Sequence, residues 1–390
     1  MIKTYIYYKH ITMFVGFSQR EKKEYETPIK YTRILDDKYP TLMYHTRRNQ
    51  YKFALHDGQR KLLIRDIEFI SRNHHLASVY ICAGAAQGYH YKILAEMFPD
   101  IQFHLYDPTP FWKGLDYIPN IHLYQEYWTP ETCKQWRETN QNILFASDIR
   151  TPPENGELNF GDKSNPIGSD SFEKKITDDM KMQQDWVMDL CPAAAMLKFR
   201  LPYCQPNAKY NHEYTRYLDG DIMFQAWAPP SSTECRLWCY PTDGKYTTKL
   251  YDNKKYEDQL FRFNAITRIQ WYDLGPIDDE WISLFPGYEY NYDSATEVKI
   301  LMDYIKKFKP NEPVMAHIAS TWVRINEISG TTIHCSPHGD EPLKPFHQKT
   351  PPPDILATKE RYRLKFKPHN NHGTKSHEKN NSWTTKKRRK

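Results

Sequence analysis

The chain has 390 residues, 39% hydrophobic and 26% charged, which is enough for one large α/β domain with additions or for two smaller domains. It contains no run of eighteen apolar residues, and its first residues, MIKTYIYYKHITMF, lack the uninterrupted apolar stretch of a signal peptide, so we expect neither a membrane span nor a secretory leader. Its 7 cysteines are scattered and odd in number, so we expect an intracellular soluble protein without a disulfide framework. Its net charge is +6.

The first half of the chain alternates amphipathic helices with short apolar strands. Residues 60–73 place Leu63, Ile67 and Ile70 at helical spacing with charges between them, which predicts an amphipathic helix. A second helix is predicted over 89–98. Strands are predicted over SVYIC, IQFHLY, IHLY (121–124) and NILFAS (142–147). Because these strands alternate with helices and several end in acidic residues, they predict an α/β fold with a doubly wound, mostly parallel sheet.

The second half of the chain is richer in strands. A polar loop over 151–172 precedes a helix with Met182, Trp186 and Leu190 on one predicted face. Three more strands are predicted over AMLKF (195–199), IMFQAW (222–227) and TECRLWC (233–239). The sheet is therefore expected to continue past its first mononucleotide-binding half.

The turn after the first strand is a candidate cofactor loop. Gly84 and Gly88 carry no Cβ, so the backbone there can approach a ligand closely, although a short turn of this kind is often only a tight connection. Asp107 closes the next strand about twenty residues later, where a carboxylate commonly holds a ribose diol. The chain lacks the P-loop and the full G-x-G-x-x-G motif. A cofactor with a ribose but no phosphates fits better, and S-adenosylmethionine is such a cofactor.

Four charged residues stand out by their positions. Lys61 opens a helix, Asp148 ends a strand and Glu234 begins one, and each of them is also explicable as a surface charge. Lys198 lies inside an apolar strand, where a lysine has to be paired or functional. A Lys-Asp-Lys-Glu set in this chain order resembles that of the RNA ribose 2′-O-methyltransferases.

Six segments carry a closer resemblance. GQRKLL, GAAQGYH, ILFASDIR, LKFRLPY, FQAWAPPSSTECRL and YEDQLFRFN occur in the order, and at roughly the spacing, found in the poxvirus-type cap-specific mRNA 2′-O-methyltransferase family, whose members also serve as small subunits of poly(A) polymerase. The similarity covers about residues 50–270. It implies a Rossmann-like methyltransferase domain that binds S-adenosylmethionine and the m7G-capped 5′ end of mRNA. It leaves open a poly(A) polymerase catalytic subunit as a second partner.

The resemblance assigns catalytic and cofactor positions. Lys61, Asp148, Lys198 and Glu234 align with the catalytic tetrad, in which Lys198 is expected to take the ribose proton. Trp128 aligns with a side chain that packs on the adenine. The cofactor-contacting positions are Gln59, Gly84, Gly88, His90, Asp107, Trp128 and Asp148.

Cap and transcript contacts are assigned in the same way. Tyr203 aligns with an aromatic ring that stacks on 7-methylguanine, and Glu257 with a carboxylate that reads the edge of that base. A second stacking ring belongs upstream of the first lysine, with Tyr44 and Tyr39 as candidates. We expect Arg150 and Arg236, next to tetrad members in the sequence, to contact RNA phosphates.

The expected domains are an N-terminal arm (1–50) that contributes to the cap site, the methyltransferase domain (51–335), and a proline-rich linker with a basic tail (336–390). From Lys359 to Lys390 there are 12 basic and 2 acidic residues, so the tail is expected to be disordered, as a solubilising end, a nucleic-acid arm or a nuclear address. The resemblance implies the cytoplasm of a cell infected by a large DNA virus, with KKRRK leaving a nuclear destination open.

Three other functions remain as alternatives. The chain could be a non-catalytic or dual-role processivity subunit of a poly(A) polymerase, or it could methylate ribosomal RNA or an internal ribose. Cys235-x3-Cys239 and His334-Cys335-x2-His338 offer metal ligands, but the first pair lies along a predicted strand, so we predict no metal site.

Overall fold

The structure is a computed structural model that describes residues 30–44, 58–151, 170–203, 213–229, 232–277, 282 and 289–328. All of these residues belong to one unit, Met1–Gln348. Within the described residues, no helix is long and apolar enough to cross a membrane. The basic tail and most of the predicted N-terminal arm lie outside the described residues.

The described residues form strands and helices in an alternating order through the first half of the chain. The strands are β1 (Ile34–Leu35), β2 (Val79–Ala83), β3 (Gln102–Tyr106), β4 (Ile121–Tyr124), β5 (Ile143–Ser147), β6 (Ala194–Phe199), β7 (Tyr214–Leu218), β8 (Asp221–Met223), β9 (Cys235–Cys239) and β10 (Thr248–Asp252). The helices are α1 (Gly58–Asn73), α2 (Tyr91–Met97), α3 (Pro130–Glu138), α4 (Asp170–Leu190), α5 (Asn253–Ala265), α6 (Tyr292–Phe308) and α7 (Val314–Ile328), with 3-10 turns at Lys113–Leu115 and Thr267–Ile269.

Eight of the strands form one sheet, in the order β1-β8-β9-β6-β5-β2-β3-β4. The five neighbours β6, β5, β2, β3 and β4 are parallel, whereas β9, β8 and β1 pair antiparallel. The chain builds outward from β2 to β4, then returns to the other side of β2 for β5 and β6. This reversal places the topological switch point between β2 and β5, and it confirms the predicted mostly parallel α/β sheet.

Burial explains why the central strands are apolar throughout. Every residue of β2 and β5 is buried, as expected for parallel strands that are covered on both faces. On α1 the predicted apolar face is buried, but Arg65, Asp66 and Glu68 of the same helix are buried as well. The polar side of this amphipathic helix is therefore not wholly exposed, because these three charged side chains are covered by the rest of the protein.

Two predicted elements differ from the observed ones. The run IMFQAW forms a strand only up to Met223, because the chain then leaves the sheet and reaches Trp227, whose φ of +60° is left-handed. In α4, Trp186 and Leu190 are buried but Met182 is exposed. The remaining predicted strands are confirmed to within one or two residues, apart from a later start of the last one at Cys235.

Candidate active site

The sheet topology brings the candidate residues to one edge. The carboxyl ends of β2, β3 and β5 lie side by side, with Ala83 paired to Tyr106 and to Ser147. Asp107 and Asp148 directly follow β3 and β5, so both emerge at this edge. On the neighbouring strand β6, Lys198 is paired across the sheet with Arg236 of β9.

The structure brings the four tetrad candidates together. Lys198 Nζ lies 3.2 Å from Asp148 Oδ1 and 3.7 Å from Glu234 Oε2. Lys61 reaches in from the first turn of α1, with its Nζ 3.1 Å from Glu234 Oε1. All four side chains are largely buried, so the two ammonium groups and the two carboxylates face one another in a water-poor site.

Arg236 does not occupy the position that the sequence predicted for it. Its side chain is only 1% exposed, and Nη2 lies 2.8 Å from Asp148 Oδ1 and 3.3 Å from Glu234 Oε1. A guanidinium that is buried behind two carboxylates is not available to an RNA phosphate. The structure therefore replaces the predicted phosphate contact of Arg236 with a contact inside the tetrad.

Arg150 remains at the rim of the site. Its two terminal nitrogens lie 3.5 Å from Asp179 Oδ2 and 3.9 Å from Glu234 Oε2, and its side chain is partly exposed. Both distances are long for charge-assisted hydrogen bonds. The guanidinium is therefore partly open to solvent, and its assignment to an RNA phosphate stays a prediction.

The charged groups of the site lie close enough together to shift one another's pKa values. Burial alone would raise the pKa of Asp148, but Arg236 and Lys198 outweigh it and hold that pKa well below its usual range. For Glu234, burial is likewise outweighed, by Lys198, Lys61 and Arg236 in that order, and its pKa is well below its usual value. The pKa of Lys61 is lowered by burial, and Arg236 and Lys198 lower it further against the opposing effect of Glu234. The site therefore holds two ionised acids and a lysine that loses its proton more readily than usual.

The glycine turn lies directly against the end of β5. Gly84 has a φ of +82°, and a Cβ there would lie 3.0 Å from the carbonyl carbon of Asp148 and 3.0 Å from the amide nitrogen of Ile149. Gly88 has a φ of +78°. The absence of a side chain at Gly84 thus lets the turn pack on the backbone that carries Asp148.

Asp107 organises the same turn. One carboxylate oxygen accepts a hydrogen bond from the amide of Ala86 at 3.0 Å, and the other accepts one from the amide of Thr109 at 2.8 Å. A carboxylate has about four lone-pair sites, so two such bonds leave capacity for further donors. Asp107 is partly exposed at the switch-point edge, where a ligand hydroxyl could use that capacity.

The buried ring of His90 contacts the side chain of Gln59. The His90 ring is only 1% exposed, with Nδ1 3.1 Å from Gln59 Oε1 and Nε2 3.1 Å from Asp66 Oδ2. Gln59 Oε1 also accepts the backbone N–H of His90 at 3.3 Å. The structure therefore does not support a direct cofactor contact by the His90 ring, because the ring points into the protein.

Trp128 is part of the core beside the cofactor edge. Its ring packs against Tyr106 and Phe145 at centroid distances of 4.9 and 5.3 Å, and its indole N–H donates to the Cys133 sulfur at 3.0 Å. The side chain is nearly fully buried. Its assignment to the adenine stays a prediction.

Tyr203 is held by contacts with Arg200, Thr233 and Glu173. The Arg200 guanidinium lies 3.9 Å from the centre of its ring, and its hydroxyl accepts a hydrogen bond from Thr233 Oγ1 at 3.2 Å. Its backbone N–H donates to Glu173 at 3.0 Å. The arginine occupies one face of the ring, so a stacking ligand has to use the other.

The other two cap candidates lie on or against α5. Glu257 is on this helix, where burial raises the pKa of its carboxyl group although Lys254, 3.4 Å away, opposes the shift. The backbone N–H of Tyr44 donates to Asp258 Oδ1 at 2.9 Å, and its ring packs edge-on against Phe261. The structure therefore places Tyr44 and Glu257 next to the same short segment of α5.

The structure also separates the two upstream tyrosines. Tyr44 is 51% exposed, whereas Tyr39 is 6% exposed. The hydroxyl of Tyr39 donates to Thr267 Oγ1 at 2.7 Å, and its ring packs against Phe224. Only Tyr44 of the two offers a ring to a ligand.

Sequence reasoning missed three polar residues that contact the site. Arg65 Nη1 lies 3.4 Å from Asp148 Oδ1, Asp66 pairs with Arg65 and His90, and Gln225 Nε2 donates to Glu234 Oε1 at 3.0 Å. One signal was present, because Arg65 follows Lys61 by four residues and lies on the same face of α1. No sequence signal distinguished Gln225.

The metal-ligand candidates are not assembled among the described residues. Within the ranges that the structure describes, no group of three or more His, Cys, Asp and Glu side chains could hold a metal ion. Cys235 and Cys239 are both buried as free thiols on β9. The second motif, at 334–338, lies outside the described residues.

Comparison with known proteins places the chain in a family. The profile of the poly A polymerase regulatory subunit family matches residues 24–309. The chain belongs to this family. Membership in the poly A polymerase regulatory subunit family confirms the resemblance carried by the six sequence segments.

Other comparisons are more distant. The solved structure of bluetongue virus VP4, described as a multifunctional RNA-capping production-line, is similar over 71% of this chain and 48% of its own, with 12% identity and a TM-score of 0.36. The chain thus spans about half the length of that protein. No curated protein matches the chain.

Proposed function

We propose that this chain is a cap-specific mRNA 2′-O-methyltransferase that transfers the methyl group of S-adenosylmethionine to the first transcribed ribose of m7G-capped RNA. The observation that carries the proposal is the convergence of Lys61, Asp148, Lys198 and Glu234 at the switch point of a Rossmann-like sheet. In such folds, ligands bind at the carboxyl ends of the strands where the strand order reverses. A pair of lysines and a pair of acids at that place fits proton removal from a hydroxyl group.

The residues at the edge of the sheet fit S-adenosylmethionine. The glycine turn packs on the backbone of Asp148 at the carboxyl edge of the sheet, and Asp107 beside it retains acceptor capacity for a ribose diol. When bound, this cofactor supplies an electrophilic methyl group on a sulfonium. Gly84, Gly88 and Asp107 are the residues that would hold its adenosine, with Asp148 next to the turn.

Proton removal is assigned to Lys198. A ribose hydroxyl is a poor nucleophile at neutral pH, so it needs a positioned base and close alignment with the methyl donor. Lys198 would take this proton as a neutral amine and become an ammonium, and its Nζ is contacted by both acids, at 3.2 Å by Asp148 and at 3.7 Å by Glu234. The acids fix the position of this nitrogen, and Lys61 fixes Glu234 from the opposite side.

Cap recognition is assigned to Tyr203, Tyr44 and Glu257. N7-methylation gives guanine a delocalised positive charge, which strengthens its stacking on electron-rich aromatic rings. Tyr44 offers a half-exposed ring, and Glu257 lies on the same helix that anchors the backbone of Tyr44. Glu257 would accept hydrogen bonds from the N–H groups of the base.

Family membership supports a second function. Because the chain belongs to the poly A polymerase regulatory subunit family, we also propose that it binds a poly(A) polymerase catalytic subunit. A dual role needs two separable surfaces. A Lys198→Ala protein that still lengthens poly(A) tails in the presence of a catalytic subunit would show that the two functions are independent.

The test is labelled-methyl transfer to three matched RNAs that begin m7GpppN, GpppN or with no cap, followed by nuclease mapping of the modified ribose. The proposal expects methylation of the first transcribed nucleotide of the m7GpppN RNA and much weaker transfer to the other two. Equal methylation of uncapped RNA, or label at internal riboses, would assign the activity to another RNA class. S-adenosylmethionine binding without transfer to any RNA would leave only the regulatory function.

A further inference from the structure

Next to the tetrad lies a buried network of polar side chains centred on Asp66, a residue to which no role has been assigned. Asp66 of α1 is fully buried and contacts three partners. Its Oδ1 accepts the hydroxyl of Tyr80 at 3.1 Å and lies 3.2 Å from Arg65 Nε. Its Oδ2 lies 3.1 Å from His90 Nε2. The carboxylate thus joins the helix, strand β2 and the residue that precedes α2.

The polar network around Asp66 reaches the active site in two directions. At one end, Arg65 Nη1 lies 3.4 Å from Asp148 Oδ1, the same oxygen that Lys198 contacts. At the other end, His90 follows the glycine turn by two residues, and its ring and backbone N–H both contact Gln59. The glycine turn and the tetrad acid are therefore linked through three side chains that are nearly or fully buried.

We propose that Asp66 is a positioning residue that orients the catalytic Asp148 through Arg65 and the glycine turn through His90. The inference rests on the proposed function, because it concerns the same site. Arg65 is buried and needs a counterion, and Asp148 already balances Lys198 and Arg236. Because Asp66 is a second counterion, Arg65 is held beside Asp148 without depending on that carboxylate alone.

The chain supplies a matched control. Glu68 lies two residues after Asp66 on α1, is also buried, and pairs with Arg33 and Arg72 rather than with any tetrad member. Asp66→Asn and Glu68→Gln each remove one buried negative charge from the same helix with little change in shape. Both should lower the thermal midpoint, so the difference between them isolates the contact with the active site.

The first measurement compares the kinetics and cofactor binding of the two variants. Asp66→Asn should lower kcat by at least about tenfold, because small displacements of reacting groups are costly in rate. It should also weaken S-adenosylmethionine binding several-fold by calorimetry, whereas Glu68→Gln should change both quantities less than about twofold. In an Arg65→Gln background, Asp66→Asn should cause no further loss of kcat but should still weaken cofactor binding through His90.

The second measurement does not depend on methyl transfer. The groups that face His90 are Asp66, Gln59, Arg65, Asp148 and the ring of Tyr91. Burial lowers the pKa of His90, and Asp66 opposes that shift, so Asp66→Asn should lower the pKa further in an NMR titration of the imidazole. Glu68→Gln should leave the titration of His90 unchanged.

The outcomes separate this inference from the proposed function. A wild-type chain that neither binds S-adenosylmethionine nor methylates RNA overturns the proposed function, while the His90 titration still tests the contact with Asp66. Equal effects of Asp66→Asn and Glu68→Gln on kcat, cofactor binding and the His90 titration would show that Asp66 is only a structural charge. A full loss of kcat that persists in the Arg65→Gln background would overturn the coupling through Arg65.

Discussion

Arg236 and Asp148 form the closest ion pair of the candidate site, with Arg236 Nη2 2.8 Å from Asp148 Oδ1. The arginine is the cross-strand partner of Lys198, so the sheet itself delivers a third cation to the two acids. Its charge helps to keep the carboxylates ionised and helps to lower the pKa of Lys61. Arg236 therefore sets the electrostatics of the tetrad from inside the protein.

Removing the positive charge of Arg236 should raise the pKa of Lys61. In Arg236→Gln the nearby positive charge is gone and Glu234 has one partner fewer, and both changes favour the protonated lysine. The pH dependence of Lys61 acylation, followed by mass spectrometry, should move to higher pH. Arg236→Lys should restore the wild-type curve in large part, and Arg216→Gln, at an exposed position of β7, should not move it. An unchanged Lys61 curve in a folded Arg236→Gln protein would contradict the prediction.

Lys198→Ala should abolish methyl transfer and leave cofactor binding nearly intact. The lysine contacts the two acids but not the glycine turn, so its loss removes the base without opening the adenosine site. Loss of a general base lowers rates by about a hundredfold or more. Labelled-methyl transfer to capped RNA measures the rate, and calorimetry with S-adenosylmethionine measures binding. The control is Lys181→Ala, whose lysine pairs with Asp185 on the exposed face of α4. Turnover comparable to wild type would remove Lys198 from the mechanism.

Gly84→Ala should weaken cofactor binding, and Gly244→Ala should not. Both glycines have a left-handed φ, of +82° and +71°, so either substitution strains the backbone by about 1–2 kcal/mol. Only at Gly84 would the new Cβ also crowd backbone, at 3.0 Å from Asp148, whereas nothing lies within 4 Å at Gly244. For both variants, calorimetry measures S-adenosylmethionine binding and chemical denaturation measures the free energy of unfolding. Equal binding losses would show that strain alone, and not the close packing of the turn on Asp148, determines the effect.

The sequence predicted the sheet well because its strands are apolar runs bounded by turns, and both faces of β2 and β5 are buried. It indicated the four tetrad candidates because Asp148 follows a strand, Glu234 precedes one, Lys61 opens a helix and Lys198 is a lysine in an apolar strand. It could not predict how deeply Arg236 is buried, since that depends on a cross-strand pairing between distant segments. The same holds for Asp66, whose partners come from α1, β2 and the start of α2.

The two acids should make the protein sensitive to low pH. The pKa values of Asp148 and Glu234 lie below their ordinary values in the folded chain, so their charged forms stabilise it above about pH 4–5. This contribution to stability is lost as the pH falls, first through the ordinary pKa values of Asp and Glu and then towards their lower pKa values in the folded chain. Glu234→Gln should show a smaller fall in the free energy of unfolding between about pH 5 and pH 3 than wild type. Denaturant titrations at several pH values measure it, with the exposed Asp185→Asn as control. A free energy of unfolding that falls as steeply in Glu234→Gln as in wild type and Asp185→Asn would contradict the prediction.

Tyr44 and Tyr39 provide a matched pair for the cap site. Tyr44→Ala should weaken binding of m7GpppN RNA several-fold with little change in stability, because its ring is half exposed and packs only against Phe261 among the described aromatic rings. Tyr39→Phe should leave cap binding unchanged and destabilise the fold by about 1 kcal/mol, because it removes the buried hydrogen bond to Thr267. Fluorescence titration with m7GpppG and GpppG, alongside thermal unfolding, measures both quantities. A Tyr44→Ala protein that still distinguishes the two dinucleotides as wild type does would exclude this ring from the cap site.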